Sequence, residues 1–390
     1  MRSSDKARAA AADDHSGEKV FWRFDPDHVQ PGDILVTRTP SLKSLAIRAA
    51  TRTEFSHAAL CIGYGHFIEA IGTGVCRFAI KGTSVRKRDN VRLLRLRRDV
   101  PHAQAIAKFA ADAGHQDLQR GYSLAGAVGV KLPTKPDPRA MFCSQLVVEA
   151  YDKAMRMARI TDPLVPGRKL SKIAPGHLPE SPYLEDATDS ALKQMRALEG
   201  PYWYLDEPNP EQRPHQWETE QKLKMLGSKS VQSAIKKTKA DANPRSFFEL
   251  ELLLRDTKSK DLDAVIAAAL QRTNFCELYS GKIASSLDLA AMKISSDQLI
   301  SRAAGGQMPD ADLAAEIVET GQQIRLFEDD LSDRKEQYSN YVKRAMAADL
   351  KTFAMLGELQ GEMRDLSDDI LAVLRTQLAA LQEAERRRRP

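Results

Sequence analysis

Met141-Phe142-Cys143-Ser144-Gln145-Leu146-Val147-Val148-Glu149-Ala150-Tyr151 sets a cysteine between a Pro- and Lys-rich approach and a segment whose Leu146, Val147, Ala150 and Met157 recur at helical spacing. That pattern predicts Cys143 at a helix N-terminus. Unbonded backbone N–H groups and the positive end of the helix dipole favour a thiolate there, and the thiolate is the nucleophilic form. A lone helix cysteine is more often structural, so the decisive question is whether the rest of the chain supplies a base and an orienting group.

Working outward, Pro31-Gly32 signals a turn and Asp33-Ile34-Leu35-Val36-Thr37 reads as a strand. Leu42, Leu45, Ala46 and Ala49 mark one face of a short helix over 41–52. Ser56-His57-Ala58-Ala59-Leu60-Cys61-Ile62 and Phe67-Ile68-Glu69-Ala70 flank Gly63-Tyr64-Gly65-His66, which predicts a hairpin. A three-residue loop over 63–65 sets Ala59 opposite Glu69. His57 then shares the face of Glu69 as its diagonal neighbour, about 7–8 Å away between backbones, within reach of long side chains. A slip of one residue would separate them. An ionised carboxylate on a half-buried face needs a partner, and a histidine is one.

Further strands are predicted at 74–80 and 91–97, with a helix at about 103–113. Gly121-Tyr122-Ser123-Leu124-Ala125 opens a helical or loop segment, and Pro133 to Pro138 reads as a loop. From Ile160 the chain is Pro-rich and wraps the domain, with Leu178, Tyr183 and Leu184 as apolar anchors. The predicted class is α+β, an antiparallel sheet packed with helices over 21–199. Residues 1–20 are polar and aperiodic, which predicts disorder. The stretch 200–216 reads as a Pro-rich linker tethered by Tyr202, Trp203 and Tyr204.

Residues 217–390 are helical almost throughout. Leu313, Ile317, Ile324, Phe327, Leu331, Tyr338, Tyr341 and Ala345 keep a four-three spacing interrupted by the polar Thr320 and Arg334. A second run, Leu356, Leu359, Met363, Leu366, Ile370, Val373 and Gln377, follows a change of register near Lys351, and Gly357 and Gly361 are expected to loosen it. A helical hairpin or bundle is predicted, with self-association or a protein partner along 310–385 as the alternative.

Composition fits this division. At about 150 residues per domain, 390 residues make two or three domains, and 6% aromatic with 28% charged residues suits a globular part joined to exposed helices. Lys and Arg outnumber Asp and Glu by 31 to 22 over residues 1–200 and fall short by 27 to 31 beyond. The basic half suits an anionic partner such as a phospholipid surface or a wall polymer. Its densest run, Arg86 to Arg98, alternates with Val91, Leu93 and Leu96 as a solvated strand face does, and without a nucleic-acid motif no nucleic-acid partner is expected. The four cysteines lack C-x-x-C spacing, so reduced thiols and no metal or other cofactor are expected. No apolar run spans a membrane and the N-terminus lacks a signal-peptide core, which predicts cytoplasmic synthesis and, for any role outside, a signal-independent export route.

Pro31-Gly32-Asp33-Ile34-Leu35-Val36, Phe55 to Gly63, Phe67-Ile68-Glu69-Ala70 with Gly74-Val75, Tyr122, and Phe142 to Val147 with Ala150-Tyr151 together resemble the YiiX-like group of permuted papain-fold hydrolases. These are relatives of bacterial cell-wall peptidases and of lecithin:retinol acyltransferase, in which the histidine strand precedes the cysteine helix. Ile173 to Ser181 looks like the closing segment of such domains. The resemblance covers about residues 25–190. It implies Cys143 as nucleophile, His57 as base, Glu69 as the third member and Tyr122 as a neighbour whose hydroxyl serves as an oxyanion donor.

Three functions are compatible with this reading. One is an amidase or endopeptidase acting on a peptide or peptidoglycan stem. Another is a thioester-forming lipid acyl hydrolase or acyltransferase. The third is an interaction protein built on an inactive papain-like scaffold. An appended helical module without a signal peptide also suits a toxin delivered by a specialised secretion system.

Overall fold

The computed structural model describes residues 20–63, 65–80, 83–123, 140–196, 203–206 and 213–388. The expected disordered stretch 1–20 lies outside them except for Val20, as does the expected loop from Pro133 to Pro138.

The first region runs β1 (Val20–Phe24), β2 (Ile34–Thr37), α1 (Leu42–Thr51), β3 (His57–Gly63), β4 (His66–Ile71), β5 (Gly74–Ala79), β6 (Thr83–Val85), β7 (Val91–Leu96), α2 (Ala103–His115), β8 (Gly121–Tyr122), β9 (Ala140–Met141), α3 (Cys143–Met157), β10 (Leu184–Asp186), α4 (Thr188–Ala191), β11 (Leu192–Arg196) and β12 (Trp203–Tyr204). Six of the strands form one antiparallel sheet in the order β10-β7-β2-β3-β4-β5. Alternation gives it two apolar faces. Ile34, Val36, Leu60, Ile68 and Val75 pack with Leu146, Val147 and Tyr151 of α3 and Ile106 of α2. On the other face Leu35, Cys61, Phe67, Phe78 and Leu93 pack with Phe24, Val85 and Leu192. Those last three belong to a second sheet, β11-β1-β6-β12.

Two expectations change here. Residues 203–206, within the stretch read as a linker, are tied to the first region, because β12 pairs in parallel with β6 and Asp206 accepts backbone N–H groups from Arg86 and Lys87. The segment begun by Gly121 and Tyr122 is a two-residue strand paired in parallel with β9, and its Leu124 and Ala125 lie outside the described residues.

The helical region comprises α5 (Pro214–Leu226), α6 (Lys229–Thr238), α7 (Phe247–Thr257), α8 (Lys260–Arg272), α9 (Phe275–Leu287), α10 (Leu289–Ala304), α11 (Asp310–Ala348) and α12 (Lys351–Arg388). It begins at Pro214 rather than 217, with proline in the first turn, where its missing N–H costs nothing. The two heptad runs are the two arms of one hairpin, and the change of register near Lys351 is its turn. Leu313, Ile324 and Leu331 are buried on one arm and Leu356, Leu359, Met363, Ile370 and Leu374 on the other. The seam is therefore filled largely from within the chain. Thr320 accepts from Gln377 Nε2 at 2.9 Å, and Arg334 is bonded to Asp330, so both polar interruptions are satisfied. Gly357 and Gly361 do not break α12, which is continuous; they lie against Tyr341 and Tyr338 and admit close approach of the arms.

The turn of the hairpin is held from α8 by charges of both signs. Lys260 Nζ donates to the carbonyls of Ala348 and Asp349 at the end of α11. Asp263 accepts N–H bonds from Lys351 and Thr352, both at 2.8 Å, at the start of α12. A cation at a helix C-terminus and an anion at an N-terminus each offset the helix dipole. Asp263 is buried, so its loss leaves two N–H groups unbonded. Asp263→Ala is expected to lower stability by about 1–3 kcal/mol, the range for a lost cap with buried donors left unpaired, read as the midpoint of chemical denaturation. An unchanged midpoint would show that the turn does not depend on this cap.

Candidate active site

The β3–β4 register sets Ala59 opposite Glu69, the pairing that the hairpin reading requires. The loop is shorter than expected, since Gly63 already pairs with His66, and a bulge between Cys61 and Gly63 absorbs the difference. Glu69 therefore faces His57, and His57 Nε2 lies 2.8 Å from Glu69 Oε2. That leaves Nδ1 for a second partner, and Cys143, in the first turn of α3, lies near enough to act on the imidazole electrostatically. The three residues are brought together from β3, β4 and the first turn of α3.

Cys143 opens α3 after Phe142, whose extended backbone (φ −108°, ψ 166°) ends the approach and whose side chain provides no cap. The nearby hydroxyl, Ser144 Oγ, donates to the Ile173 carbonyl at 2.7 Å and anchors the closing segment to the helix. Tyr151 Oη donates to the carbonyl of Gly32, fixing the helix on the turn before β2. Cys143 is buried, while the His57 side chain keeps 25% of its surface exposed, so the cluster meets solvent on the imidazole side.

Tyr122 pairs with Met141 two residues before Cys143. Burial raises its hydroxyl pKa above the ordinary value, and the charge at Cys143 raises it further. Tyr122 is thus a neutral phenol beside the sulfur.

The electrostatics follow from burial and pairing. Burial opposes a charged imidazole, yet the nearby Cys143 sulfur and the bonded Glu69 carboxylate push the His57 pKa up to about 10. Burial likewise opposes the Glu69 carboxylate, but the bond to His57 and the charges of Arg213 and His57 hold its pKa below the ordinary value.

Two neighbours of Glu69 escaped the sequence reading. Arg213, immediately before α5, has Nη1 3.7 Å from Glu69 Oε1 and its guanidinium 5.0 Å from the centre of the Phe78 ring. Cys76 Sγ donates to Glu69 Oε1 at 4.0 Å, and burial followed by the Glu69 charge keeps it a thiol. Cys76 was legible in principle, since β5 pairs it directly with Glu69. Arg213 carried no local signal.

Linkage gives the sign of the pH dependence. The His57 contribution to stability is present below its ordinary pKa near 6.5 and is lost as pH rises through about 10. The Glu69 contribution is present above its ordinary 4.5 and is lost as pH falls through its depressed folded value. The expected NMR titration of the His57 ring has its midpoint near 10, and Cys143→Ala moves it down because one of the groups raising it is gone. A midpoint that stays in place in the variant would mean that the sulfur does not hold the imidazolium.

No protein-family model matches the chain, and comparison with curated proteins and with solved structures finds no match.

Proposed function

We propose that the chain is a cysteine-dependent hydrolase in which Cys143 is the nucleophile, His57 the acid and base, and Glu69 the group that holds the imidazole. The reading rests on one observation, an imidazole bonded to a buried carboxylate and lying near a cysteine at a helix N-terminus. That constellation, in the chain order of the permuted papain-fold group, is the support for assigning the 21–199 region to that fold.

In the proposed reaction the Cys143 thiolate attacks an amide carbonyl and forms a carbon–sulfur bond. The uncapped N–H groups of the first turn of α3, with the Tyr122 hydroxyl, donate to the developing oxyanion. Collapse breaks the carbon–nitrogen bond, and the amine leaves with the proton given up by the His57 imidazolium. Neutral His57 then takes a proton from water, whose oxygen attacks the thioester, releasing the carboxylic product and restoring the thiolate and imidazolium. An amide in a peptide or peptidoglycan stem is the substrate we favour. Acyl transfer from a lipid uses the same groups, and the cationic excess of residues 1–200 favours that second reading.

Intact-mass spectrometry of the protein incubated with cell-envelope extract should reveal an acyl adduct on Cys143 that is absent from Cys143→Ala. Muropeptides and liposomes offered in parallel identify the acyl donor. Failure of a thiol-reactive probe to label Cys143 at neutral pH would remove the proposal and leave a scaffold function.

Arg213 is a positioning residue in this scheme, since it acts on Glu69 rather than on substrate. Its charge helps keep Glu69 ionised, so Arg213→Gln should move the acid limb of the pH–rate profile upward. One pKa unit of movement corresponds to about tenfold lower activity on the acid side, with a much smaller change near pH 8. Arg213→Lys should restore part of it. A loss of activity equal at every pH would assign Arg213 a purely structural part.

A further inference from the structure

The strand end that carries His57 also carries a cationic cavity. Thr37 pairs with His57 on one side and with Val91 on the other, so Arg38 and Asn90 leave the sheet together at that end. Around them a cavity of about 260 Å³ is lined by Arg38, Arg48, Arg86, Lys87, Asn90 and Asp206, among others.

The anion in this group is already engaged. Asp206 is buried and accepts the Arg86 N–H at 2.9 Å, the Lys87 N–H at 3.1 Å and Asn90 Nδ2 at 2.8 Å. Three bonds use most of what a carboxylate can accept. Asp206 thus shapes the turn before β7, and its bonds are spent on backbone N–H groups and Asn90 rather than on Arg38, Arg48 or Lys87 side chains. Asn90 also fixes one of them, since Arg38 Nε donates to its Oδ1 at 2.8 Å.

The rest of the basic run shows the contrast. Arg88 pairs with Asp189, Arg92 with Asp186, Arg95 with Asp33 and Arg97 with Asp99. Arg38, Arg48 and Lys87 have no carboxylate partner among the described residues, and Arg48 Nε is buried with no hydrogen-bond acceptor among them. Arg48 does stand in the last turn of α1, where its charge suits the helix dipole. The dipole alone gives no reason to bury a donor without an acceptor, which destabilises the fold unless something else occupies that position.

We propose that this cavity is a binding site for a phosphate group. Guanidinium groups present paired N–H donors that match phosphate oxygens, and Lys87 adds a mobile point charge at the exposed rim. A carboxylate offers a single charge and two oxygens to three cations that lack a carboxylate partner among the described residues. A free phosphate or phosphomonoester, including the headgroup of phosphatidic acid, offers up to two charges and at least one more oxygen, and fits the charge count better. The chemistry is shared by a free phosphate, a soluble phosphomonoester and a phospholipid headgroup. The site stands on its own charge and burial, whichever reaction Cys143 performs.

Calorimetric titration of the full-length protein with inorganic phosphate and with glycerol 3-phosphate, and sedimentation with phosphatidylcholine vesicles with and without phosphatidic acid, tests this. Saturable binding to at least one phosphate-bearing probe is expected, weakened at least tenfold by Arg48→Gln and by Lys87→Gln and unchanged by Arg92→Gln. Binding confined to the phosphatidic acid vesicles, with the same dependence, assigns the site to a headgroup; binding of the soluble probes assigns it to a small phosphate. Lys87 is exposed, so its variant tests the site even where Arg48→Gln fails to fold. No saturable binding to any probe, or binding that Lys87→Gln leaves intact, overturns the proposal.

Discussion

A carboxylate on a buried strand must be balanced, and that requirement at Glu69 ties the two regions of the chain together. The side chain stands between β3 and β5 with little water to solvate it, and an unpaired charge there would be costly enough to protonate the group instead. His57 balances it from within the sheet, and Arg213 balances it from the start of the helical region. α5 can come this close because residue 74 is glycine. Its φ is +118°, and a Cβ there would lie 2.7 Å from both the Arg120 carbonyl oxygen and Leu223 Cδ1. The register of one hairpin, a glycine at the start of β5 and the seating of α5 therefore converge on one carboxylate.

The α11–α12 hairpin extends this attachment. Glu319 of α11 meets Arg23 at 3.2 Å, and Asp330 meets Arg77 at 3.6 Å, while Gln322 and Arg325 bond to Asp25 and Asp27. The Arg23–Glu319 and Arg77–Asp330 pairs thus set part of the basic excess of the first half against part of the acidic excess of the second. A charge imbalance that suggested an external anion is met in part by the chain's own helices. In the cationic cavity at the His57 strand end, Arg38, Arg48 and Lys87 have no carboxylate partner among the described residues.

How far the fold was legible follows from which signals are local. The strands of the main sheet and α3 are written in apolar periods of two and 3.6, and two glycines at the β3–β4 turn fix the register that joins His57 to Glu69. The seams of α11 and α12 appear as heptads. The smaller sheet is not written that way, because Leu192-Lys193-Gln194-Met195-Arg196 has no clean alternation and forms a strand only by pairing with β1. Arg213 is invisible for the same reason. It reaches Glu69 through the packing of α5 on β5, and no neighbour in sequence announces that contact.

The start of α3 shows why the candidate site departs from local rules. Ser41, Ser228, Ser246 and Ser259 each cap their helices by accepting an N–H bond, a contact worth about 0.5–2 kcal/mol. α3 opens on Phe142 and forgoes that contribution, although Ser144 stands close by with its hydroxyl directed to Ile173. α2 also opens without a cap, at a left-handed His102, so the omission alone is no signature. What distinguishes α3 is that its uncapped turn carries the sulfur that lies near the His57 imidazole. A capping side chain would compete for the N–H groups that the proposed oxyanion requires, so the stability forgone at Phe142 is what an acyl-transfer site at this helix end would demand.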